Sequence, residues 1–413
     1  VDDLDNCPAV FNIDQADDDG MGPGNACDLD FFRGLIAVDD INGNSSPEFV
    51  VAHRDITTGD GRFNSVGVYD GMTGQLLSNY NYFGVENRRP DGLLSWTLDS
   101  SQSVALSSTG FQGLDLSEQT TSSFPGVQAR DPVNGNVIVN LFPWNSNWTV
   151  KQSIVSTDAS FGGEAVLITL AESKLSGLMA VEIQGTASKA VLTRQYPLGF
   201  GWTPVSMQMV KVQNEPAVAV LATRNLDGLT VIQVRRTSDN SLVRNVYPLG
   251  LGWSPVAFRT VPDLNANGSD EVAVLMVRDS DGLTLIQVRD SETNQLVANV
   301  YPIGAGQSDW QVRQFEVVSS NQNTLFAIVT TRATDSQILV QMKNPLTNEV
   351  VKNNFFLGPP WQLREKMVVV PDYTQNNSDE LAVPAQNSNT GERLIQVRDA
   401  IDGGLLINIR PTR

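Results

Sequence analysis

Histidine is almost missing from this 413-residue chain; His53 is the only one. A Ser-His-Asp or Cys-His centre, or a multi-His zinc site, must use that residue or not exist. His53 sits in the strand-like run VVAHR (50–54) and reads as a plain strand residue. No HExxH, GxSxG, P-loop or strand-linked GxGxxG accompanies it. Chemistry by carboxylates alone, as in glycosidases, survives these exclusions. Long apolar runs are missing too: the longest clean one, about 165–171, is far short of the roughly 20 residues a membrane-spanning helix needs. Basic residues are few, 28 Lys and Arg against 46 Asp and Glu, for a net charge of −18. Such a chain repels phosphate backbones, which argues against nucleic acid as a partner. The chain begins at Val1 with neither Met nor a signal peptide, as a processed or partial product would.

Cysteine is confined to Cys7 and Cys27. Both fall in a 30-residue head holding nine Asp and no Lys, Arg or Glu, half of the net charge. A head with so little apolar mass cannot build a core unaided, so the two cysteines read as a disulfide staple in an oxidising, extracellular setting. Two free thiols in a cytosolic chain are the alternative. Asp at alternate positions followed by Gly is how a loop wraps oxygens around Ca2+. Without a cation, this density of like charge would leave the segment disordered.

The head resembles a known family. DNCP (5–8), Asn12, DQAD (14–17), Asp19, Gly20, Gly22, Gly24 and ACD (26–28) are similar to a thrombospondin type 3 repeat over residues 2–28. The resemblance implies calcium bound by carboxylates and a cystine between Cys7 and Cys27. By position it places Asp17, Asp19 and Asp28 on one loop, with Asp3, Asp5, Asn12 and Asp14 available to a second. Met21 and Asn25 stand where the family carries Asp, which implies a weakened loop. The segment opens in mid-motif, so further repeats upstream are expected.

After residue 30 the chain repeats itself. Six of the seven tryptophans, at 96, 148, 202, 253, 310 and 361, are 51 to 57 residues apart. A short polar turn recurs seven times: DGMTGQL (70–76), DPVNGNV (131–137), GTASKAV (185–191), RTSDNSL (236–242), DSETNQL (290–296), NPLTNEV (344–350) and DAIDGGL (399–405). Within a copy the patterning is all strand: VAFRTV (256–261), VAVLMV (272–277), LTLIQVR (283–289) and LVANVY (296–301), parted by Gly, Asn and Asp. Four strands per roughly 53 residues, seven times over, predict an all-β, seven-bladed β-propeller. Blades are expected at about 31–84, 85–147, 148–201, 202–252, 253–306, 307–360 and 361–413, behind a calcium segment at 1–30. Two stacked β-sandwiches are the alternative, but they leave the period unexplained. Both ends fall in register, so no strand is exchanged to lock the ring. Closure must then come from blade packing, the acidic head or residues past Arg413.

The tryptophan column is expected to pack between blades, with a ring of ligand-stacking aromatics as its rival. Arg130, Arg235, Arg289, Lys343 and Arg398 end strands beside Asp131, Asp290 and Asp399, and a solvated, charge-paired edge is expected there, with an anion site as the alternative.

Three copies carry a loop with oxygen-bearing side chains at positions 1, 3, 5, 7 and 9: DINGNSSPE (40–48), DLNANGSDE (263–271) and DYTQNNSDE (372–380). These resemble the calcium loops of FG-GAP and VCBS propeller repeats, found in integrin α chains and bacterial surface proteins. The resemblance implies Ca2+ ligands at Asp40, Asn42, Asn44 and Glu48, and at Asp263, Asn265, Asn267 and Glu271. The family favours Asp at positions 3 and 5, so Asn and Thr here imply weaker calcium or none. Asx-turns that end strands explain the same residues without metal. The turn Asp-x-x-Thr-Gly-x-Leu is similar to that of quinoprotein-like propellers, without a cofactor constellation. Asn44, Asn267 and Asn376, with Asn147, also fall in Asn-x-Ser/Thr glycosylation sequons.

The expectation is a non-catalytic extracellular or cell-surface structural or adhesion protein, stiffened by Ca2+. Its partners would be further copies of itself, head to tail through the N-terminal arm as a filament, or cell-surface protein or glycan. A secreted glycan-binding module or glycan-active propeller enzyme is the alternative, on fold analogy. An intracellular scaffold is a third.

Overall fold

The structure is a computed structural model and describes residues 34–55, 63–82, 90–98, 101–114, 121–158, 161–303, 309–372 and 374–411. The acidic head, with Cys7 and Cys27, lies outside the described residues.

Seven sheets follow one another along the chain, each an antiparallel meander of four consecutive strands. In blade seven the first strand is broken into Trp361–Leu363 and Val368–Val370, both paired with Glu380–Asn387. No α-helix occurs among the described residues. The first strands of neighbouring blades touch one another around the ring, and that of blade one meets blade seven. The chain is therefore a seven-bladed β-propeller of four-stranded blades, with the first strand of each blade innermost.

The reason for a ring lies in the middle strands. In blade five, Glu271–Arg278 is buried along six consecutive residues. Successive side chains of a strand face opposite ways. Val272, Val274 and Met276 accordingly join Val210, Leu221 and Ile232 of blade four in one core. Ala273 and Leu275, with Ile286 and Val288, join Phe315, Phe326 and Ile328 of blade six in the next. A sheet buried on both faces needs a sheet on each side, and only a closed circle gives every blade two neighbours.

Closure obeys the same rule. Leu35, Phe49, Val51 and Tyr69 of blade one share a core with Val370, Ala382, Ile395, Val397 and Ile409 of blade seven. No strand among the described residues crosses from one blade to the other. Among the described residues, the ends of the ring are held by side-chain packing.

The recurrent turn joins the third and fourth strands. Its fifth residue has φ between 57° and 74° in all seven copies: Gly74, Gly135, Lys189, Asn240, Asn294, Asn348 and Gly403. Gly and Asn tolerate that region best, which accounts for six of the seven choices. The carbonyl of residue 1 accepts from residue 5, as in Gly74 N to Asp70 O at 2.8 Å. A one-residue register shift follows in each blade, for example between Val68 and Tyr69.

Ile409 is fully buried at the blade one–seven seam, whereas its neighbour Ile407 is partly exposed. Ile409→Ala should destabilise the protein by about 2–5 kcal/mol in denaturant titration, and Ile407→Ala by clearly less. A loss below about 1 kcal/mol at Ile409 would mean that the seam does not hold the ring.

Candidate functional site

The three long loops join first and second strands and lie against the recurrent turn of their own blade. In blade one, Asp40 Oδ1 accepts from the backbone N–H groups of Asn42, Gly43 and Asn44 at 2.7 to 3.2 Å, and Oδ2 from Ser45 at 2.7 Å. Asn42 Oδ1 and Asn44 Oδ1 accept from the N–H two residues on, at 3.0 and 2.9 Å. Both side-chain amides then donate to Asp70 Oδ2 in the turn at 2.6 Å. Gly71 allows this approach, since a Cβ there would lie 2.0 Å from the Pro47 carbonyl oxygen.

Blade five repeats the arrangement. Asn265 and Asn267 donate to Asp290 Oδ2 at 3.0 and 2.5 Å, and Asp263 Oδ2 accepts from Gly268 N–H at 2.7 Å. In blade seven Asn376 donates to Asp399 and Asp372 accepts from Asn376 and Asn377. In blades one and five the oxygens at positions 1, 3 and 5 thus serve as Asx-turn acceptors, and the amides tie loop to turn. Among the described residues no group of three or more His, Cys, Asp or Glu is placed to hold a metal.

Position 9 differs in character. Glu48 and Glu271 are fully buried. Oε2 of each accepts one loop N–H, from Ile41 at 2.8 Å and Leu264 at 2.7 Å. Oε1 of each is buried with no hydrogen-bond partner. Burial, helped by the neighbouring carboxylates Asp40 and Asp70 or Asp263 and Asp290, pushes both acids up to about 7. In blade seven the corresponding Glu380 accepts from the Thr374 hydroxyl at 2.6 Å.

Sequence reasoning missed a second role of two of these loops. Blades four and six join first and second strands by two-residue hairpins, Gln213-Asn214 and Asn321-Gln322, with φ positive at both residues. Each hairpin docks on the long loop of the next blade. Asn214 N–H donates to Gly268 O at 3.0 Å, Lys211 N–H to Asp270 Oδ2 at 2.7 Å, and Asp270 N–H returns to Lys211 O at 2.8 Å. Asn321 N–H likewise donates to Asn377 O, and Ser319 N–H to Asp379 Oδ2 at 2.6 Å. Burial pushes the Asp270 and Asp379 carboxyls up. The SDE ending of both loops was the available signal; blade one has SPE and no such hairpin before it.

Asp3, Asp5, Asn12, Asp14, Asp17, Asp19 and Asp28 lie outside the described residues. His53 lies in the second strand of blade one, opposite Ser65. Of the four sequon asparagines, Asn44, Asn267 and Asn376 have their amides committed to Asp, and the Ser two residues on is buried in each case. Asn147 is exposed.

The arginine column does not pair with the adjacent aspartates. Arg130, Arg235, Arg289 and Arg398 donate from Nε to the Gln two residues earlier, at 2.7 to 3.1 Å. Nη1 donates to the carbonyl of the turn's fifth residue. Strand alternation is the reason: residue i−2 shares the arginine's face, and the following Asp does not. That Gln in turn donates to an Asn on the fourth strand, as Gln233 does to Asn245 at 2.9 Å. Lys343 donates instead to Tyr301 O of the preceding blade at 2.6 Å.

At the other mouth of the ring, Trp202, Trp253 and Trp310 each lie beneath a cross-strand arginine. Arg224, Arg278 and Arg332 sit 5.7, 5.5 and 5.3 Å from the ring centroids. Each guanidinium makes two hydrogen bonds to an Asp three residues on: Asp227, Asp281 and Asp335. Trp202 and Trp253 also pack on the cores shared with the preceding blade.

No family model matches the chain, and neither does any curated protein. Its fold is similar to that of Kuenenia stuttgartiensis hydrazine synthase, at 11% identity over 91% of this chain and 97% of that one, with a TM-score of 0.56. Chaetomium thermophilum Raptor is similar at 12% identity and a TM-score of 0.50, over 79% of this chain and 25% of that one. A europium-containing methanol dehydrogenase is similar at 10% identity, 88% and 76% coverage and a TM-score of 0.50. At such identities the likeness is one of fold.

Glu48 and Glu271 set a pH dependence. Their native pKa is about 7 against an ordinary 4.5, so between those values the native state binds more protons than the unfolded one. Their contribution therefore falls as pH rises from about 4.5 to 7 and levels off above, at up to about 1.4 kcal/mol per pH unit per group. Melting temperature measured in EDTA from pH 5 to 8 should decline, and Glu48→Gln with Glu271→Gln should flatten the decline. Equal slopes in parent and variant would show that these acids are ionised throughout.

Proposed function

We propose that the chain is a non-catalytic extracellular structural or adhesion protein, with a calcium-stiffened propeller that associates with further copies of itself or with cell-surface protein or glycan. The carrying observation is the outer rim. The first residue of each fourth strand or its equivalent in the turn, Leu76, Val137, Val191, Leu242, Leu296, Val350 and Leu405, is a large apolar side chain left 42–51% exposed. Each such strand is also the open edge of its sheet. Open strand edges with exposed apolar side chains favour association with another chain.

Calcium is supported by donor chemistry. The loops offer oxygen ligands of the kind a hard cation takes. The orphaned Oε1 atoms of Glu48 and Glu271 are the clearest sign that a positive charge suits these loops. Asp40, Asn42, Asn44 and Glu48 would hold the ion in blade one, and Asp263, Asn265, Asn267 and Glu271 in blade five, with the asparagine amides turned so that oxygen rather than nitrogen faces the ion. A cation there would replace the proton on the glutamate. The thrombospondin-like head, with its own Ca2+ and a Cys7–Cys27 cystine, would act as the arm that joins one subunit to the next. A secreted glycan-binding module or glycan-active enzyme is a second reading, favoured by Arg313 and Lys366, exposed cations of the innermost strands of blades six and seven that join no ion pair among the described residues.

Native mass spectrometry and negative-stain microscopy test the main reading. In millimolar Ca2+ the chain should form oligomers or filaments that EDTA disperses, and Leu242→Asp with Leu296→Asp should reduce them several-fold. Monomeric discs under all these conditions would refute self-association.

A further inference from the structure

The innermost strands share an irregularity whose residues converge on the funnel. The strands starting at Pro90, Trp148, Trp202, Trp253 and Trp310 each carry a one-residue bulge, at Asp91, Lys151, Val205, Val256 and Arg313. In blade seven the same strand is broken, with Arg364, Glu365, Lys366 and Met367 in the gap. A bulge re-aims its side chain. Lys151, Val205, Val256, Arg313 and Lys366 are all exposed. They line two adjoining cavities of about 560 and 290 Å³ that share Arg313, Gln314 and Lys366.

The lining runs against the charge of the molecule. Some of its cations are neutralised: Lys151 by Glu172 at 2.9 Å, Arg259 by Glu316, and Arg332 by Asp335 at 2.6 Å. Arg313, Arg364 and Lys366 join no ion pair among the described residues. Arg313 Nε donates to the Thr331 hydroxyl at 2.9 Å. Arg364 Nε is buried without a hydrogen-bond partner, and so is Ser153 Oγ on the wall of the smaller cavity. Glu365 is the one acid among the described lining residues. In a chain of net charge −18, this cleft concentrates unneutralised positive charge. Guanidinium groups recognise carboxylate and sulfate through paired hydrogen bonds. In the larger cavity amides come from the exposed Gln311 and the half-buried Gln362, and in the smaller one the exposed apolar residues are Val205 and Val256.

We propose that this funnel, between blades three and seven, binds an acidic saccharide. The carboxylate or sulfate ester sits on Arg313, Arg364 and Lys366; hydroxyls meet the amides of Gln311 and Gln362; the apolar face of a sugar ring lies against Val205 and Val256. The cavity is of the size that small ligands occupy. This deepens the glycan-binding reading and is independent of the calcium loops and the outer rim, so its test is run in EDTA, where failure of the adhesion reading leaves it untouched.

The experiment titrates the full chain at low ionic strength with glucuronate, glucose 6-sulfate, glucose and tetra-aspartate, by calorimetry and ligand-observed NMR. Glucuronate and glucose 6-sulfate should bind at least tenfold more tightly than glucose or tetra-aspartate. Arg313→Gln with Lys366→Gln should weaken both by tenfold or more. Val256→Asp, which places a carboxylate in the funnel without removing a cation or a buried contact, should do the same, and Lys174→Gln on the exterior should change nothing. Glucose or tetra-aspartate binding as tightly as glucuronate, or unchanged affinity in the Arg313/Lys366 double variant or in Val256→Asp, would overturn the assignment.

Discussion

Burial of the middle strands on both faces is the constraint from which the rest of the molecule follows. Val274 faces blade four while Leu275 faces blade six, and neither can be satisfied unless both neighbours are present. Repeating that requirement seven times closes the chain on itself, and the seam between Leu35 and Ile409 is then one more interface of the same kind. A ring built this way depends on every interface, because opening one exposes two apolar faces at once. It also leaves the outermost strand of each blade as an open edge and the innermost strand facing a shared funnel. Both surfaces proposed for function are the places that the blade packing leaves unused.

The polar clasps add direction to that packing. On one mouth of the ring, the Asn pairs of blades one and five hold loop to turn within a blade, while Asp270 and Asp379 hold a loop to the hairpin of the blade before. Loop and hairpin therefore alternate in kind from blade four to blade seven. On the opposite mouth, Trp202, Trp253 and Trp310 are roofed by Arg–Asp pairs on the turn between second and third strands. Those pairs are exposed, so little stability comes from their charge; their effect is to hold a guanidinium over an indole.

The architecture was legible because it rests on local periodicity. The tryptophan rhythm and the seven turns mark the blades, and the positive φ at Gly74, Asn294 and their equivalents is the reason the turn keeps its residues. What stayed hidden depends on partners far away in sequence or on register. Arg289 stands next to Asp290 in the chain, which invites an ion pair, yet pleating turns the arginine towards Gln287. The hairpin at Asn214 is unremarkable until the ring brings Gly268 beside it. Among the loop residues, the oxygens were foreseen, but not that Asn42 and Asn44 would spend their amides on Asp70 in the turn 26 to 28 residues on. That contact follows from a blade folding back on itself.

The funnel is the strongest case of register hiding chemistry. Val256 and Arg313 occupy equivalent places in their strands, and a strict alternation would assign both by the pattern of their neighbours. The bulge releases them from that pattern, since the extra residue is not held to either sheet face. Its identity is then free of the apolar requirement that fixes Phe258 and Phe315 two residues later, both fully buried. A position released from packing in several consecutive blades can diverge without cost to the ring. In this chain it has diverged into aspartate on blade two, lysine and arginine on blades three, six and seven, and valine on blades four and five. The same scaffold that demands uniform residues between blades thus permits an asymmetric lining at its centre, and asymmetry is what a site needs in order to orient a ligand that is charged at one end and apolar along its face.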